Sequence, residues 1–240
     1  MNPLVLKLQT FFLKNKTLFI KIFKIIEGII IFLILSGPVL YQFAQKTFFQ
    51  LSPVLGNEAG EYALYLYCLT LTPGILNRLK VLLPLRVVLM AYRRHLGITM
   101  FFLAFLHMSY TTTIPLIMEN AFSLKLLTQH QIAGFLALLT LFPLWLTSND
   151  YSMKKLGHFW STLHRITYVA LFFMFMHVAL LGTTKMMIIS GAFLVLETLS
   201  WMMEWRRQGK AKQILRAQQA KPDQPPTQVG NPANQEVVNS

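Results

Sequence analysis

Long apolar stretches with few charges most constrain what this chain can fold into. Of its 240 residues, 54% are hydrophobic and only 13% are charged, whereas soluble domains carry about 25% charged residues. A bilayer core of about 30 Å is crossed by roughly 20 mostly apolar helical residues. No period-two alternation of the kind found in barrel strands is present. The sequence therefore predicts an all-α membrane protein, a bundle of about six transmembrane helices, near 25–44, 62–76, 96–117, 131–147, 160–182 and 186–204.

The distribution of charge predicts the orientation of this bundle. A net charge of +13 would suggest a nucleic-acid partner in a soluble protein. Here 18 of the 22 basic residues lie before the first stretch, after the sixth, or in the loops that follow the second and fourth. Cytoplasmic loops of membrane proteins carry such an excess of Lys and Arg. We therefore expect both termini in the cytoplasm, contact with membrane lipid, and no nucleic acid.

The chain divides into three parts. Residues 1–24 are a basic, amphipathic N-terminal segment, which we expect to lie on anionic headgroups. Residues 25–205 hold the six predicted spans, with an outer loop expected over 45–61 and a helix stop at Thr72-Pro73-Gly74. Residues 206–240 begin basic and turn to Gln, Pro, Asn and Ser, which predicts a disordered cytoplasmic tail.

The cysteine count and the motifs exclude several kinds of site. Cys68 is the only cysteine, so the chain cannot form an internal disulfide, a thiolate zinc site or an iron–sulfur cluster. No C-x-x-C-H motif occurs, so any heme is held noncovalently. No G-x-G-x-x-G or Walker loop occurs either. The chain must therefore take electrons or substrate from another molecule.

Three histidines lie inside predicted spans: His107 in the third, and His164 and His177 in the fifth. Ionisable side chains inside a bilayer are rare and are functional candidates by default. Neutral imidazole is the commonest metal ligand, and two imidazoles on one heme iron suit electron transfer. The hypothesis is a heme between helices. The alternative for any one histidine is a hydrogen bond to a neighbouring helix or a place on a proton path.

Depth along the predicted helices favours one pair. The third and fifth helices run in the same direction, so at 1.5 Å per residue His107 and His177 lie within roughly 7 Å of the same depth. His107 and His164 differ by roughly 13 Å, and His164 lies roughly 20 Å from His177 along one helix. We therefore favour one heme between His107 and His177, and leave open a second heme between His95 and His164.

Arg93 and Arg94 open the third helix at its cytoplasmic end. One interpretation is that they anchor the helix at the membrane surface. Guanidinium groups also bind phosphate and carbonyl oxygens. A flavin or quinone site is therefore the other interpretation.

Several motifs resemble the MsrQ (YedZ) family of ferric-reductase-like transmembrane domains, over roughly 50–180. They are Leu71-Thr72-Pro73, Arg93-Arg94-His95-Leu96-Gly97, Leu106-His107 with Ser109-Tyr110, Leu146-Thr147-Ser148, Lys155-Leu156-Gly157, Trp160 and Leu163-His164. By position, the resemblance makes His107, His164 and His177 heme-associated histidines, and links Arg93 and Arg94 to flavin or quinone use. His95 departs from the family pattern, which usually has an apolar residue there.

The resemblance implies a b-type heme subunit of the bacterial inner membrane, which also binds FMN. Such a subunit takes electrons from the quinone pool and passes them to a periplasmic molybdopterin enzyme that reduces methionine sulfoxide in oxidised proteins. The sulfoxide chemistry would then belong to the partner. One alternative is a ferric or cupric reductase component served by a separate flavoprotein. Another is a transporter or structural membrane protein whose histidines relay protons or hydrogen-bond helices.

Overall fold

The computed structural model describes residues 3–118 and 127–219, and every regular element in these two ranges is helical. The all-α prediction is therefore confirmed. A π-turn, Ser109–Thr113, joins α4 to α5, and a 3₁₀ turn, His164–Ile166, joins α8 to α9. The helices are α1 Pro3–Lys14, α2 Lys16–Phe43, α3 Gln45–Leu79, α4 Leu83–Met108, α5 Ile114–Met118, α6 Gln129–Leu146, α7 Asp150–Leu156, α8 His158–Leu163, α9 Thr167–Leu181 and α10 Thr184–Gln219.

Within the described ranges, four helical segments are long and apolar enough to cross a membrane. They coincide with the last four predicted spans. α2 and α3, which contain the first two predicted spans, are not among them. One end of the bundle is called the outer end. It is the end that contains the last residues of α4 and α9 and the first residues of α6 and α10. The four segments are Leu83–Met118, Gln129–Leu146, His158–Leu181 and Thr184–Ile214.

α3 departs most from the sequence expectation. The outer loop predicted over 45–61 is wrong, because these residues form the first half of α3. The predicted stop at Thr72-Pro73-Gly74 is also wrong, since the helix continues to Leu79. Proline and glycine are tolerated inside membrane helices, where neighbouring groups satisfy the freed backbone. Gly56, which indicates a loop in the sequence, instead lies against the side chain of Thr111 in the π-turn.

Two buried clusters hold the bundle together, and the second lies closer to the outer end than the first. Large apolar side chains also cover much of the outside of the bundle, as expected where lipid surrounds the helices. The first cluster joins α3, α4, α6 and α9 through Tyr67, Leu71, Met100, Phe101, Leu138, Leu141, Leu144, Ala170 and Leu171. The second joins α2, α3, α4, the π-turn and α5 through Ile30, Tyr41, Phe48, Ala59, Leu106, Tyr110 and Ile114.

A buried ion pair fastens α10 to the inner end of α3. The Arg78 guanidinium donates hydrogen bonds to the Glu197 carboxylate and, over 2.8 Å, to the Ser200 hydroxyl. It also lies 4.9 Å from the ring centroid of Trp201. Removing one partner of such a pair leaves an uncompensated buried charge, which costs about 3–5 kcal/mol. The pair therefore fixes how α10 closes one side of the bundle.

The helical pattern extends into both predicted terminal segments as far as the described residues reach. The predicted surface segment 1–24 comprises α1 and the first turns of α2, and the Tyr92 hydroxyl of α4 donates to the Phe12 carbonyl over 2.6 Å. At the other end, α10 extends through 206–219, where Lys, Arg, Gln and Ala are good helix formers. The remainder of the predicted tail, 220–240, lies outside the described residues.

Candidate functional site

Two of the predicted histidines face each other across the bundle. His107 lies in the last turn of α4, and His177 lies toward the outer end of α9. Their ring centroids are 6.0 Å apart, and the ring planes are inclined by 77°. The structure thus brings together the two histidines that were paired by their predicted depth along the helices.

A backbone carbonyl of a neighbouring helix holds each of these rings through Nδ1. His107 Nδ1 lies 2.8 Å from the Gly56 carbonyl oxygen of α3, and His177 Nδ1 lies 2.7 Å from the His130 carbonyl oxygen of α6. A carbonyl only accepts hydrogen bonds, so the bonding network assigns the proton to Nδ1 and leaves the lone pair on Nε2. Metal-binding histidines are commonly oriented in this way. Both imidazoles are therefore arranged as neutral Nε2 ligands.

A glycine makes each of these close approaches possible. A Cβ added to Gly60 would lie 2.8 Å from His107 Nδ1, and a Cβ added to Gly134 would lie 2.8 Å from His177 Nδ1. In both helices the glycine comes four residues after the carbonyl that accepts the hydrogen bond. Helical carbonyls point toward the residue four positions later, so a side chain there would obstruct the ring. The same glycine-based seat thus occurs on α3 and on α6.

A cavity of about 860 Å³ opens beside the two rings. Its size lies within the range of about 300–1,000 Å³ typical of ligand pockets. The wall toward the inner end is apolar and includes Leu64, Ala104, Met108, Leu138, Leu141 and Met174. Polar residues line the part near the outer end, namely Asn57, Glu61, Thr111, Thr112, Thr113, His130, Gln131 and Thr183. His107 and His177 lie between these two parts.

The π-turn follows His107 almost directly and supplies part of the cavity wall. The Thr111 hydroxyl donates to the His107 carbonyl over 2.7 Å. Gln131 Nε2 lies 3.4 Å from Thr112 Oγ1, which connects α6 to the turn. π-turns inside helices concentrate at functional sites. The turn therefore both ends the regular helix after the histidine and places three threonines in the cavity wall.

The chemistry of the two imidazoles is compatible with a heme iron. No group of three or more His, Cys, Asp or Glu side chains that would hold a bare metal ion occurs within residues 3–118 and 127–219. Two opposed imidazoles leave the other coordination positions to a porphyrin. Metal–nitrogen distances of about 2 Å, with each ring centre about 1 Å further on, predict centroids about 6 Å apart. The 6.0 Å between His107 and His177 is compatible with this value, and the His130 ring lies at the same distance from His177.

The other two histidines in the predicted spans lie in different surroundings. His164 begins the 3₁₀ turn, where its ring stacks on Trp160 at 4.0 Å and its Nε2 lies 3.2 Å from Thr147 Oγ1. His95 of α4 stacks on Phe23 of α2 at 6.1 Å, and its buried Nδ1 has no hydrogen-bond partner among the described residues. These contacts belong to different helices. The structure therefore does not present His95 and His164 as a second opposed pair.

The two consecutive arginines also have different environments. Arg94 Nη2 lies 2.7 Å from Asp150 Oδ1 at the start of α7. The hydrogen bond from Arg94, and then its charge, hold the pKa of the Asp150 carboxyl below its ordinary value. Arg93 has no ion pair within residues 3–118 and 127–219. Arg94 is therefore paired with a carboxylate, whereas Arg93 has no such partner in the described part of the chain.

Sequence reasoning missed the residues that seat the histidines. It treated Gly60 as part of a loop and did not consider Gly134. An isolated glycine inside a helical pattern usually has a packing reason, so a signal was present. What the sequence did not reveal was which side chain each glycine admits, because that depends on the contact between helices.

The chain is similar in sequence to known membrane proteins. The family described as ferric reductase like transmembrane component matches residues 59–175. The protein-methionine-sulfoxide reductase heme-binding subunit MsrQ of Rhizobium meliloti is 34% identical over 137 residues, which are 50% of this chain and 60% of the relative. The subunits of the same name from Brucella ovis and Brucella canis are 33% identical over 91 residues, 35% of this chain and 40% of each relative.

Together these matches support membership of the MsrQ family. The resemblance seen in the sequence motifs is thereby confirmed. The chain spans 60% of the length of one of these MsrQ relatives and 40% of the other two. The matched region, 59–175, contains Gly60, His107 and Gly134. No solved structure matches this chain significantly.

Proposed function

We propose that this MsrQ family member is a membrane b-type cytochrome that transfers electrons within a larger oxidoreductase system. The observation that carries the proposal is the opposed pair His107 and His177, each with Nδ1 fixed by a carbonyl and both beside one cavity. Heme, when bound, supplies a one-electron redox centre. The name of the relatives as heme-binding subunits supports the same assignment.

The residues of the site divide the work of holding this cofactor. His107 and His177 hold the iron, and Gly60 and Gly134 admit the two rings to their carbonyl partners. The apolar inner wall excludes water from the cofactor's surroundings. With both imidazoles as ligands, a bound heme would supply electron transfer rather than oxygen chemistry. One heme is proposed. A role for His164 beside a heme stays a prediction from the family resemblance.

The proposal places the protein in the bacterial inner membrane with six spans and both termini in the cytoplasm. α2 and α3 supply the first two spans, since helices of 28 and 35 residues are roughly 42 and 52 Å long. A bilayer core is about 30 Å thick. In this topology the pair His107 and His177 lies toward the periplasm. Arg93 and Arg94 lie toward the cytoplasm, where the basic residues concentrate.

Electrons enter from the quinone pool, with FMN as an intermediate carrier, and leave to a periplasmic molybdopterin-containing methionine sulfoxide reductase. Arg93 is the better candidate for a flavin phosphate or a quinone carbonyl, since Arg94 is paired with Asp150. Reduction of the sulfoxide takes place in the partner. The relatives' name as a subunit of protein-methionine-sulfoxide reductase supports this partner class.

Optical spectroscopy of the purified full chain tests the cofactor. We expect a Soret band, a reduced-minus-oxidised difference spectrum of b type, and one heme per chain by pyridine hemochrome assay. A colourless protein after expression with ample heme would contradict the proposal and support a transporter or structural role.

Reconstitution tests the direction of electron flow. The chain is placed in liposomes with a quinol inside and the periplasmic reductase with a methionine-sulfoxide peptide outside. We expect sulfoxide reduction only when the chain is present. Reduction of a ferric or cupric chelate with a separate flavoprotein, and none of the peptide, would establish the ferric-reductase alternative instead.

A further inference from the structure

The cavity beside the histidines is polar at one end only. Toward the inner end its wall consists of apolar side chains such as Leu64, Leu141 and Met174. Toward the outer end, polar groups such as Thr112 and Gln131 lie among apolar ones such as Leu116 and Leu181. A ligand that fills the cavity must therefore be apolar over most of its surface and polar at one edge. That edge must face the outer end.

The polar end is arranged to donate hydrogen bonds. The Gln131 amide is oriented because its Oε1 accepts from the Thr128 backbone N–H over 2.9 Å. Its Nε2 is thereby left facing the π-turn, where it meets Thr112 Oγ1 at 3.4 Å. This contact is long, so the amide can donate to a stronger acceptor. α6 and α10 also begin at this end, and helix N-termini favour negative charge.

An ion pair lies at the edge of this polar end. The Lys185 ammonium donates to the Glu61 carboxylate, which also accepts from the Tyr65 hydroxyl. Glu61 is part of the cavity wall. Thr183, two residues before Lys185, and Met186, the residue after it, also line the cavity. The Lys185 side chain is 68% exposed. Its flexible stem can therefore turn to another anion without a change in the helices.

We propose that this polar mouth, formed by Thr112, Gln131 and Lys185, binds the carboxylates of the planar tetrapyrrole. The inference rests on the proposed function. A heme carries two carboxylates, and burying them against the apolar inner wall would be costly. Lys185 turns from Glu61 to a carboxylate, and Glu61 keeps the hydrogen bond from Tyr65. The mouth thus fixes which edge of the cofactor faces the outer end of the bundle.

Equilibrium binding of two porphyrins tests the proposal. The full chain, produced under heme limitation and held in lipid nanodiscs, is titrated with ferric protoporphyrin IX and with its dimethyl ester, which lacks ionised carboxylates. We expect Lys185→Met to weaken binding of the acid about tenfold, since hydrogen bonds to charged groups are stronger than neutral ones and partial exposure reduces their effect. Binding of the ester should not change.

Three further variants make the result specific. Lys46→Met removes an exposed lysine from the start of α3, away from the cavity wall, and should change neither affinity. Lys185→Arg should restore most of the affinity for the acid. Glu61→Gln removes the competing carboxylate and should leave binding of the acid at least as tight as in the wild type.

The outcomes separate this inference from the function on which it rests. If Lys185→Met weakens binding of the acid and of the ester equally, or weakens binding of neither, the carboxylate site is refuted while heme binding stands. If the wild type binds neither porphyrin with a Soret shift typical of imidazole ligation, the proposed function itself fails.

Discussion

Histidines at the two ends of this bundle are held in different ways. Near the outer end, His107 and His177 each donate from Nδ1 to a carbonyl and lie against a glycine. Near the inner end, His164 is held by a hydroxyl and an aromatic ring, and His95 by a ring alone. All four residues lie in segments suited to cross a membrane. Their surroundings, rather than their residue type, distinguish the proposed ligand pair from the two inner histidines.

The difference between the two ends indicates which contacts prepare an imidazole to bind a metal. A fixed Nδ1 proton sets both the tautomer and the direction of the ring. The outer pair has this restraint twice, with the same spacing between carbonyl and glycine on α3 and on α6. Neither inner histidine has a described bond to a carbonyl. Substitutions can remove this difference in how the histidines are held, or measure its effect on heme binding.

The largest effect should come from removing a ring of the outer pair. We expect His107→Ala or His177→Ala to abolish or strongly deplete bound heme, because a single imidazole remains for the iron. The measurement is heme per chain by pyridine hemochrome assay on protein purified in equal yield. His158→Ala is the matched control, since this exposed histidine begins α8 and does not line the cavity. Full heme content in either ring-deletion variant would exclude that residue as a ligand.

A smaller but still large effect should follow from filling a glycine seat. Gly60→Ala and Gly134→Ala each place a methyl group 2.8 Å from an Nδ1 atom, so the ring must move away from its carbonyl. Loss of an outer-shell partner typically costs about 10- to 100-fold in metal affinity. Heme dissociation constants measure the change.

Gly97→Ala is the control for these variants, because nothing lies within 4 Å of the added Cβ. It should bind heme like the wild type. Equal losses in all three variants would mean that a general effect on helix packing, and not the seat, determines the affinity.

The inner histidines should matter least for heme content. We expect His95→Leu and His164→Ala to change heme per chain by less than about twofold, because neither residue is opposed by another imidazole in the described contacts. A fall to half the wild-type heme content, together with loss of one spectral component, would reveal a second heme and make the two ends of the bundle alike.

The smallest effect belongs to the surface pair Arg94 and Asp150. The pKa of Asp150 is lowered in the folded protein by the hydrogen bond and charge of Arg94. Its contribution to stability is therefore fully present above the unfolded value of about 3.9 and is lost as the pH falls through the folded-state pKa. We expect Asp150→Asn to have a slightly lower melting temperature than the wild type at neutral pH. The two melting temperatures should converge at acidic pH.

Thermal melts followed by circular dichroism across this pH range provide the measurement. Glu58→Gln, at an exposed position without an ion pair in the described structure, should show no such convergence. A constant difference between wild type and Asp150→Asn at all pH values would mean that the side chain acts through packing.

The sequence allowed the later part of the fold to be predicted, but the first part less well. The last four spans are continuous apolar runs, so their helices follow from hydropathy alone. α3 was misread because Pro53, Gly56 and Pro73 signal turns in water. Inside a bundle these residues are tolerated, since the alternative of an exposed backbone costs more. Local turn chemistry and burial thus compete, and burial prevails in α3.

The candidate site was likewise predictable from the sequence only in part. Depth along two helices pairs His107 with His177, because the rise per residue is a property of the helix itself. The choice of acceptor for each Nδ1 was not predictable, since Gly56 and His130 are remote from these histidines in sequence. The π-turn after His107 was not predictable either, because it depends on contacts with α3 and α6.

Composition and periodicity by themselves determined a helical membrane protein, its basic side and the depth of its histidines. These properties depend on the solvent and on helix geometry, which act on each segment separately. Tertiary structure decided which helices touch, which glycines admit the rings, and where the cavity changes from apolar to polar. Those properties depend on pairs of segments distant in sequence, and their contacts exist only once the bundle has closed.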